Sequence, residues 1–305
     1  MPLDLHDPSR ASDSHDPGDG TTHHAGLTYR AFASPEDADA CVALQAEVWG
    51  TAFDHVPASL LRVVTKIGGL AIGAFDASGR LVGFVFSLAG TYDGEPIQWS
   101  HMLGVREDAR GLGVGRHLKE LQQAAAARAG VRRVLWTFDP LQARNAHLNF
   151  NRLGVQLIEY VENMYGITAS PLHLGLATDR LIVMLPTAPV PTQRPASNGM
   201  NGTNGTNGAG GANGANGTLP VLTPFPHDGD VVIDLESTAA PAALIEIPSD
   251  LQQVMATTPE VAGLWRSATR ASFLHAIRRG YAVTGLRRDV AANRTFYTLA
   301  GPPTG

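Results

Sequence analysis

Cysteine is almost missing from this sequence: Cys41 is the one cysteine among 305 residues. That excludes an intramolecular disulfide framework and any CxxC zinc or redox motif, and a reducing cytoplasm is the expected location. Lysine is nearly as scarce, with Lys66 and Lys119 the only two, so arginine carries the positive charge. That charge is itself in deficit. A formal net charge of -5 offers no basic field to neutralise phosphates, so nucleic acid is not an expected partner. No stretch approaches the roughly 18 consecutive apolar residues of a membrane span, which excludes a membrane helix. Residues 1–26 have neither a positive start nor an apolar run, and therefore do not read as a secretory signal. Nor do the scattered histidines there (His6, His15, His23, His24) have the fixed spacing of a metal site, and no metal is expected.

What is present is an ordinary globular balance, 44% hydrophobic and 17% charged residues, enough for a real core. Composition divides the chain. Residues 1–26, rich in Asp, His, Ser, Pro and Gly, read as a disordered tail, and residues 27–186 as the main body. Residues 187–229, centred on repeated Asn-Gly with Thr and Ala, read as a disordered linker, and residues 230–305 as a small C-terminal α/β part. In the body, Ser34-Pro35-Glu36-Asp37 caps and opens a helix to about Trp49, and a second helix around Pro57 to Lys66 stops at Gly68-Gly69. Apolar β-prone runs flank Asp76-Ala77-Ser78-Gly79, a hairpin signature, and another strand runs from about Ile97 to Val105. A helix to Gly130, a strand to Phe138, a helix over Ala143 to Leu153 and two more strands complete the order β-α-α-β-β-β-α-β-α-β-β. Hairpins and helices mixed in this way predict an α/β fold with one twisted mixed sheet and helices on both faces.

Chemistry concentrates in Ser100-His101-Met102-Leu103-Gly104-Val105-Arg106-Glu107-Asp108-Ala109-Arg110-Gly111-Leu112-Gly113-Val114-Gly115. A strand here turns through glycines into a helix start, whose unpaired N–H groups and positive dipole end suit a pyrophosphate. The dinucleotide fingerprint G-x-G-x-x-G fails because Arg116 stands where its last glycine belongs, and the Gly-Lys-Ser/Thr ending of a Walker loop is missing too.

The remaining pattern, Arg110, Gly113 and Gly115 between a strand and a helix, resembles the acyl-CoA loop of the GNAT superfamily of acyltransferases. The run from Trp136 through Phe138-Asp139-Pro140 to Asn149, with Ser100 to Val105 and Ala177-Thr178-Asp179-Arg180, is similar to a bacterial branch of GNAT acetyltransferases over most of the body. The resemblance implies that acetyl-CoA or another acyl-CoA is the co-substrate and that a small-molecule amine is the acceptor. It also implies that the backbone at Leu103, Gly104 and Val105 pairs with pantetheine, in a splay between this strand and the one over Val134 to Phe138. Arg110, Gly111, Leu112, Gly113, Val114, Gly115 and Arg116 then form the pyrophosphate loop, and Asn145 assists. A tyrosine four residues before Gly154 is implied as the acid that protonates the leaving thiolate, but Phe150 stands there, and His147, Asn149, Asn151 and Tyr160 are the nearby candidates.

His101, four residues before Val105 and so on the same strand face, is a candidate base; a histidine satisfied beside the core is the alternative. Asp139 either binds the acceptor amine or acts as base, or it begins the turn and caps the next helix. Cys41 falls on the apolar side of the first helix and is not expected as a nucleophile. In the C-terminal part, Thr258-Pro259-Glu260 opens a helix whose apolar face carries Val261, Leu264, Trp265, Phe273, Leu274 and Ile277. So small a core predicts docking onto the body, with Trp265, Arg266 and Arg270 at the acceptor site or, alternatively, a packing Trp265 beside a solvated arginine face. The overall expectation is an acyl-CoA-dependent N-acyltransferase, with a non-catalytic acyl-CoA sensor or interaction module as the alternative. A homodimer is compatible with the sequence.

Overall fold

A computed structural model describes residues 14–15, 21–51, 53–166, 175–187, 219–222, 225 and 240–302. In chain order its elements are β1 (Ser14–His15), β2 (Thr22–His24), β3 (Leu27–Ala31), α1 (Pro35–Trp49), α2 (Ala58–Lys66), β4 (Leu70–Phe75), β5 (Leu81–Tyr92) and β6 (Glu95–Val105). A 3₁₀ turn (Glu107–Ala109) leads to α3 (Val114–Arg128), β7 (Arg133–Phe138), α4 (Ala143–Ala146) continued by a π-helical segment (His147–Leu153), β8 (Gln156–Val161) and β9 (Arg180–Pro186). The C-terminal part holds β10 (Val221–Leu222), β11 (Ala242–Ile247), α5 (Leu251–Thr257), α6 (Pro259–Arg278), β12 (Ala282–Asp289) and β13 (Arg294–Ala300).

Local chemistry sets these boundaries. Ser34 and Asp37 form a reciprocal capping box at the start of α1, and Asp37 also takes both guanidinium nitrogens of Arg30 at 2.7 and 2.8 Å. Asp93 and Gly94, at φ 50° and 76°, turn β5 into β6, as a tight hairpin with left-handed central residues requires. β5 is buried from Leu81 to Ser87 because both faces are covered: Phe84 and Phe86 pack with α1 and α2, and Val82 and Val85 with α3.

The body sheet runs β1-β2-β3-β4-β5-β6-β7-β9-β8, and the C-terminal sheet β10-β11-β13-β12. Every neighbouring pair in the body sheet is antiparallel except β6 with β7. That parallel pair has just two register positions, Gln98 with Val134 and Trp99 with Leu135.

Two boundaries and one helix face differ from the sequence expectation. The sheet begins before Leu27, because Thr22–His24 folds back through Ala25-Gly26 and pairs with β3; backbone hydrogen bonds to a free edge leave no trace in a polar composition. Val221 and Leu222, inside the segment assigned to the linker, form a buried parallel strand against Leu244 and Ile245, and Phe225 packs on Trp265. The remainder of the tail and linker assignments lies outside the described residues. On α6, Leu264 is 54% exposed, while Trp265 and Phe273 turn inward.

One apolar cluster joins the body to the C-terminal part: Trp136, Phe138, Leu141 and Phe150 pack with Ile245, Trp265, Phe273 and Tyr297. Polar contacts complete the join. Asn151 gives its amide to the carbonyl of Leu286 and accepts its N–H, at 2.8 and 2.7 Å, so a side chain imitates strand pairing at the edge of β12. The Tyr297 hydroxyl donates to the Pro140 carbonyl at 2.7 Å.

Candidate active site

After Trp99 and Leu135, strands β6 and β7 run on to Val105 and Phe138 without pairing to each other. Both keep their outer partners, β5 and β9. Beyond that point the backbone groups on the inner edges are not paired strand to strand. Such groups need a partner, and an extended amide-bearing ligand laid between the strands supplies one.

A bulge sits at the opening. Phe86 pairs with Met102 and Ser87 with Ser100, so His101 is an extra residue on β6. The sequence reading placed His101 on the face of Val105, and the bulge overturns that. Leu103 and Val105 pack toward α3, whereas His101 lies edge-on to Phe86 at 6.2 Å, on the face covered by α1 and α2. Part of the ring is exposed, yet most of its surroundings are protein, and desolvation lowers its pKa below the ordinary histidine value. Desolvation thus favours the neutral ring, the form a base needs.

Beyond β6, the chain turns through glycines into α3. Gly111 and Gly113 have φ of 85° and 77°, left-handed values that disfavour other residues, and Gly113 is the N-cap of α3 without any side-chain cap. No acid lies in the first turn of α3, so its N–H groups and dipole end face outward uncompensated. At Gly115 an added Cβ would meet Leu103 and Val105 at 3.6 and 3.7 Å, ordinary contacts, so the fold itself does not demand glycine there. Val114 is buried, Leu112 is 49% exposed, Arg110 holds the Val105 carbonyl at 3.4 Å, and Arg116 pairs with Glu120 at 2.8 Å. Gly104 is fixed by packing, since a Cβ there would strike Phe84 at 2.7 Å.

Residues 43–154 match the acetyltransferase (GNAT) family. The matched stretch runs from within α1 to the end of the π-helical segment and so includes the splay and the glycine turn. Solved structures that resemble it include ribosomal-protein-S18-alanine N-acetyltransferase from Escherichia coli, 17% identical over 55% of this chain and 98% of that one, with a TM-score of 0.42. An aminoglycoside 6'-N-acetyltransferase complexed with coenzyme A is 16% identical over 53% of this chain and 98% of that one, with a TM-score of 0.42. The NatC complex bound to Gag peptide and CoA is 13% identical over 52% of this chain and 98% of the matched chain, with a TM-score of 0.43. No curated protein matches the sequence.

On the α3 side of the opening lies a network that the sequence did not announce. Lys119 is buried; its Nζ donates to Ser100 Oγ at 2.6 Å and to Gln122 Oε1 at 3.3 Å, and it stands 3.6 Å from the centre of the Trp136 ring. Burial holds its pKa well below the ordinary lysine value. Trp136 in turn donates its indole N–H to Asn149 Oδ1 at 3.2 Å. β6, α3, β7 and the π-helical segment are thereby tied together across the splay.

The expected acid positions are otherwise employed. Phe150 is buried, edge-on to Phe138 and Tyr297. The Tyr160 hydroxyl donates to Asp179 at 2.6 Å and is buried, with its pKa pushed far up by desolvation. Asn149 and Asn151 serve Trp136 and Leu286, and Asn145 and His147 are exposed on the helix surface.

Asp139 also departs from the catalytic expectation. Arg266 of α6 takes both its oxygens, at 2.8 and 2.7 Å, and Oδ1 also accepts the N–H of Leu141, so the carboxylate is buried and fully engaged. Arg270 makes the corresponding two-nitrogen contact with Asp179 at 2.9 and 2.7 Å. Both arginines thus act as clamps between the C-terminal part and the body. Cys41 is buried and its thiol is pushed up to about 12, which removes it as a nucleophile. Among the described residues no His/Cys/Asp/Glu group is arranged to hold a metal, and no helix is long and apolar enough to cross a membrane.

Proposed function

We propose that this protein is an acyl-CoA-dependent N-acyltransferase that moves an acetyl group from acetyl-CoA to the amine of a small molecule by direct attack in a ternary complex. The observation that carries the reading is the juxtaposition of the β6/β7 splay with the left-handed glycine turn that opens α3. Pyrophosphate on the N–H groups from Gly111 to Arg116 would place an extended pantetheine along Leu103, Gly104 and Val105. The thioester would then lie where the strands part, beside His101. That geometry brings donor and acceptor together without a covalent enzyme intermediate, so catalysis rests on positioning and proton transfer.

In this reading neutral His101 takes the proton of the attacking amine, and an unpaired N–H of β6 polarises the carbonyl oxygen. Asn145 lies exposed on α4, within the element expected to flank the cofactor. Asp139, Arg266 and Arg270 hold the C-terminal part in place rather than touching the acceptor. The test is a thiol-release assay with acetyl-CoA and a panel of polyamines, amino sugars and short peptides. Release that depends on an amine and is lost in H101Q supports the transferase; release with every amine equal to the blank contradicts it.

One observation favours a second reading. Phe150, a residue without a transferable proton, is locked in the core between Phe138 and Tyr297. A domain that binds acyl-CoA without turnover needs no acid. Tight acetyl-CoA binding with no amine-dependent thiol release selects that alternative.

A further inference from the structure

Resting on the acyl-CoA reading above, we infer that the Tyr165 hydroxyl is the proton donor to the departing thiolate, delivered to the splay by a turn that the C-terminal helix clamps. Two residues past the last β6/β7 pair stand His101 on one strand and Thr137 on the other. Trp136 and Phe138 belong to the cluster on the α4 and C-terminal side, so by alternation Thr137 faces the other way, as Leu135 does. Ser100 points to Lys119 under α3, whereas His101 packs on Phe86. His101 and Thr137 therefore share the sheet face opposite α3, one on each lip of the splay.

Thr137 Oγ1 lies 3.2 Å from the hydroxyl of Tyr165, which arrives from the turn after β8 and is 49% exposed. The placement is built rather than incidental. The N–H of Tyr165 donates to Thr178 Oγ1 at 2.9 Å, the N–H of Met164 to the Thr178 carbonyl at 3.1 Å, and the N–H of Asn163 to Asp179 Oδ1 at 2.9 Å. Asn163 holds a left-handed φ of 45°, and Thr178 and Asp179 are both wholly buried. Asp179 is itself gripped by Arg270 of α6 and by the Tyr160 hydroxyl. The guanidinium of Arg180 lies 5.2 Å from the centre of the Tyr165 ring. A phenol is thus presented at the mouth of the splay by a chain of contacts running back to the C-terminal part.

The step balances with these groups alone. The amine nitrogen attacks the thioester carbon, the C–N bond forms and the C–S bond breaks. The departing sulfur takes the phenolic proton of Tyr165, and the Thr137 hydroxyl turns to donate to the phenolate. The amine's proton passes to His101 and then to solvent, from which the phenolate is reprotonated. Net, one proton moves from amine to thiol.

The test needs no acceptor. Coenzyme A is bound to the wild-type protein, to Y165F and to T137V, affinity is measured calorimetrically, and the bound thiol is titrated by its thiolate absorbance. A hydrogen bond to an ionised sulfur lost in Y165F raises the bound thiol's pKa by about one unit or more, a tenfold loss of ionisation, with the overall affinity for coenzyme A little changed. T137V, which leaves the phenol in place, shifts it less. A thiol pKa equal in wild type and Y165F overturns the assignment while leaving the acyl-CoA reading intact. Failure of the wild-type protein to bind coenzyme A overturns both. Equal thermal melting of the variants confirms that the comparison is between folded proteins.

Discussion

The pairing of Asp139 with Arg266 makes a sharp prediction about which half of a buried ion pair the fold can spare. Both partners are nearly inaccessible, with side chains 9% and 4% exposed, and the contact uses two nitrogens and two oxygens. Removing one member of such a pair costs about 3–5 kcal/mol because the other is left charged and buried. The two removals are not equivalent here, since Arg180 lies 3.9 Å from the same carboxylate and is 11% exposed. R266M leaves Asp139 with Arg180 as a replacement partner, and belongs at the lower end, about 3 kcal/mol. D139N keeps an oxygen for the Leu141 N–H but strands two buried guanidiniums together, and belongs at the upper end, about 5 kcal/mol. At roughly 2–4 °C per kcal/mol, melting falls by about 6–12 °C in R266M and about 10–20 °C in D139N. The assay is thermal and urea unfolding of both variants and of the double mutant D139L/R266M, which loses less than D139N because one buried guanidinium, Arg180, is left without the carboxylate instead of two. D139N melting like wild type while losing turnover would refute this reasoning and restore Asp139 as a catalytic carboxylate.

Other expectations follow from the same geometry. G115A keeps wild-type stability, because the added methyl makes ordinary contacts, but weakens acyl-CoA binding in calorimetry; unchanged binding would mean that no ligand approaches that backbone. In contrast, G113A should destabilise by about 1–2 kcal/mol, since φ there is 77° and left-handed backbone penalises a side chain, as urea unfolding will show. For His101, whose pKa is lowered by desolvation, kcat/KM should stay flat on descending through pH 6.5 and fall only below it. H101Q should lose roughly 10²–10⁴-fold together with that acid limb, and an unchanged profile would exclude His101 as base. Lys119 is depressed in the folded chain but ordinary in the unfolded one, so unfolding takes up a proton between its lowered value and 10.5. Stability of the wild type should therefore rise with pH through that window and level off above it, a rise that K119M lacks; parallel urea-unfolding curves would contradict the burial argument.

Local chemistry was the readable part of this protein. Ser34 with Pro35 opened a helix, Gly130 closed one, and Arg110, Gly113 and Gly115 marked the turn into α3, because each of these depends on residues a few positions apart. The site's remaining features depend on pairings that no local pattern encodes. His101 changed faces because one extra residue on β6 is absorbed opposite Phe86, a register choice made between two strands. Lys119 sits beside the apolar stripe Val114, Leu118, Leu121 and Ala125, on the flank that α3 turns toward Trp136, so scarcity rather than pattern was the one signal that set it apart. Asp139 meets Arg266 across 127 positions of sequence, and Tyr165 reaches Thr137 through a turn pinned by Asp179 and Arg270. Phe150 reads as a departure in sequence alone; its packing on Tyr297 shows that the C-terminal part claimed that position for the core.

The measurement that bears most directly on the central claim is calorimetric titration of acetyl-CoA into the wild-type protein and into the double variant G113E/G115E. The splay and glycine turn predict saturable, one-to-one, micromolar binding that the variant abolishes while its melting remains cooperative. Absence of binding to the folded wild-type protein would contradict the assignment of this opening to an acyl-CoA.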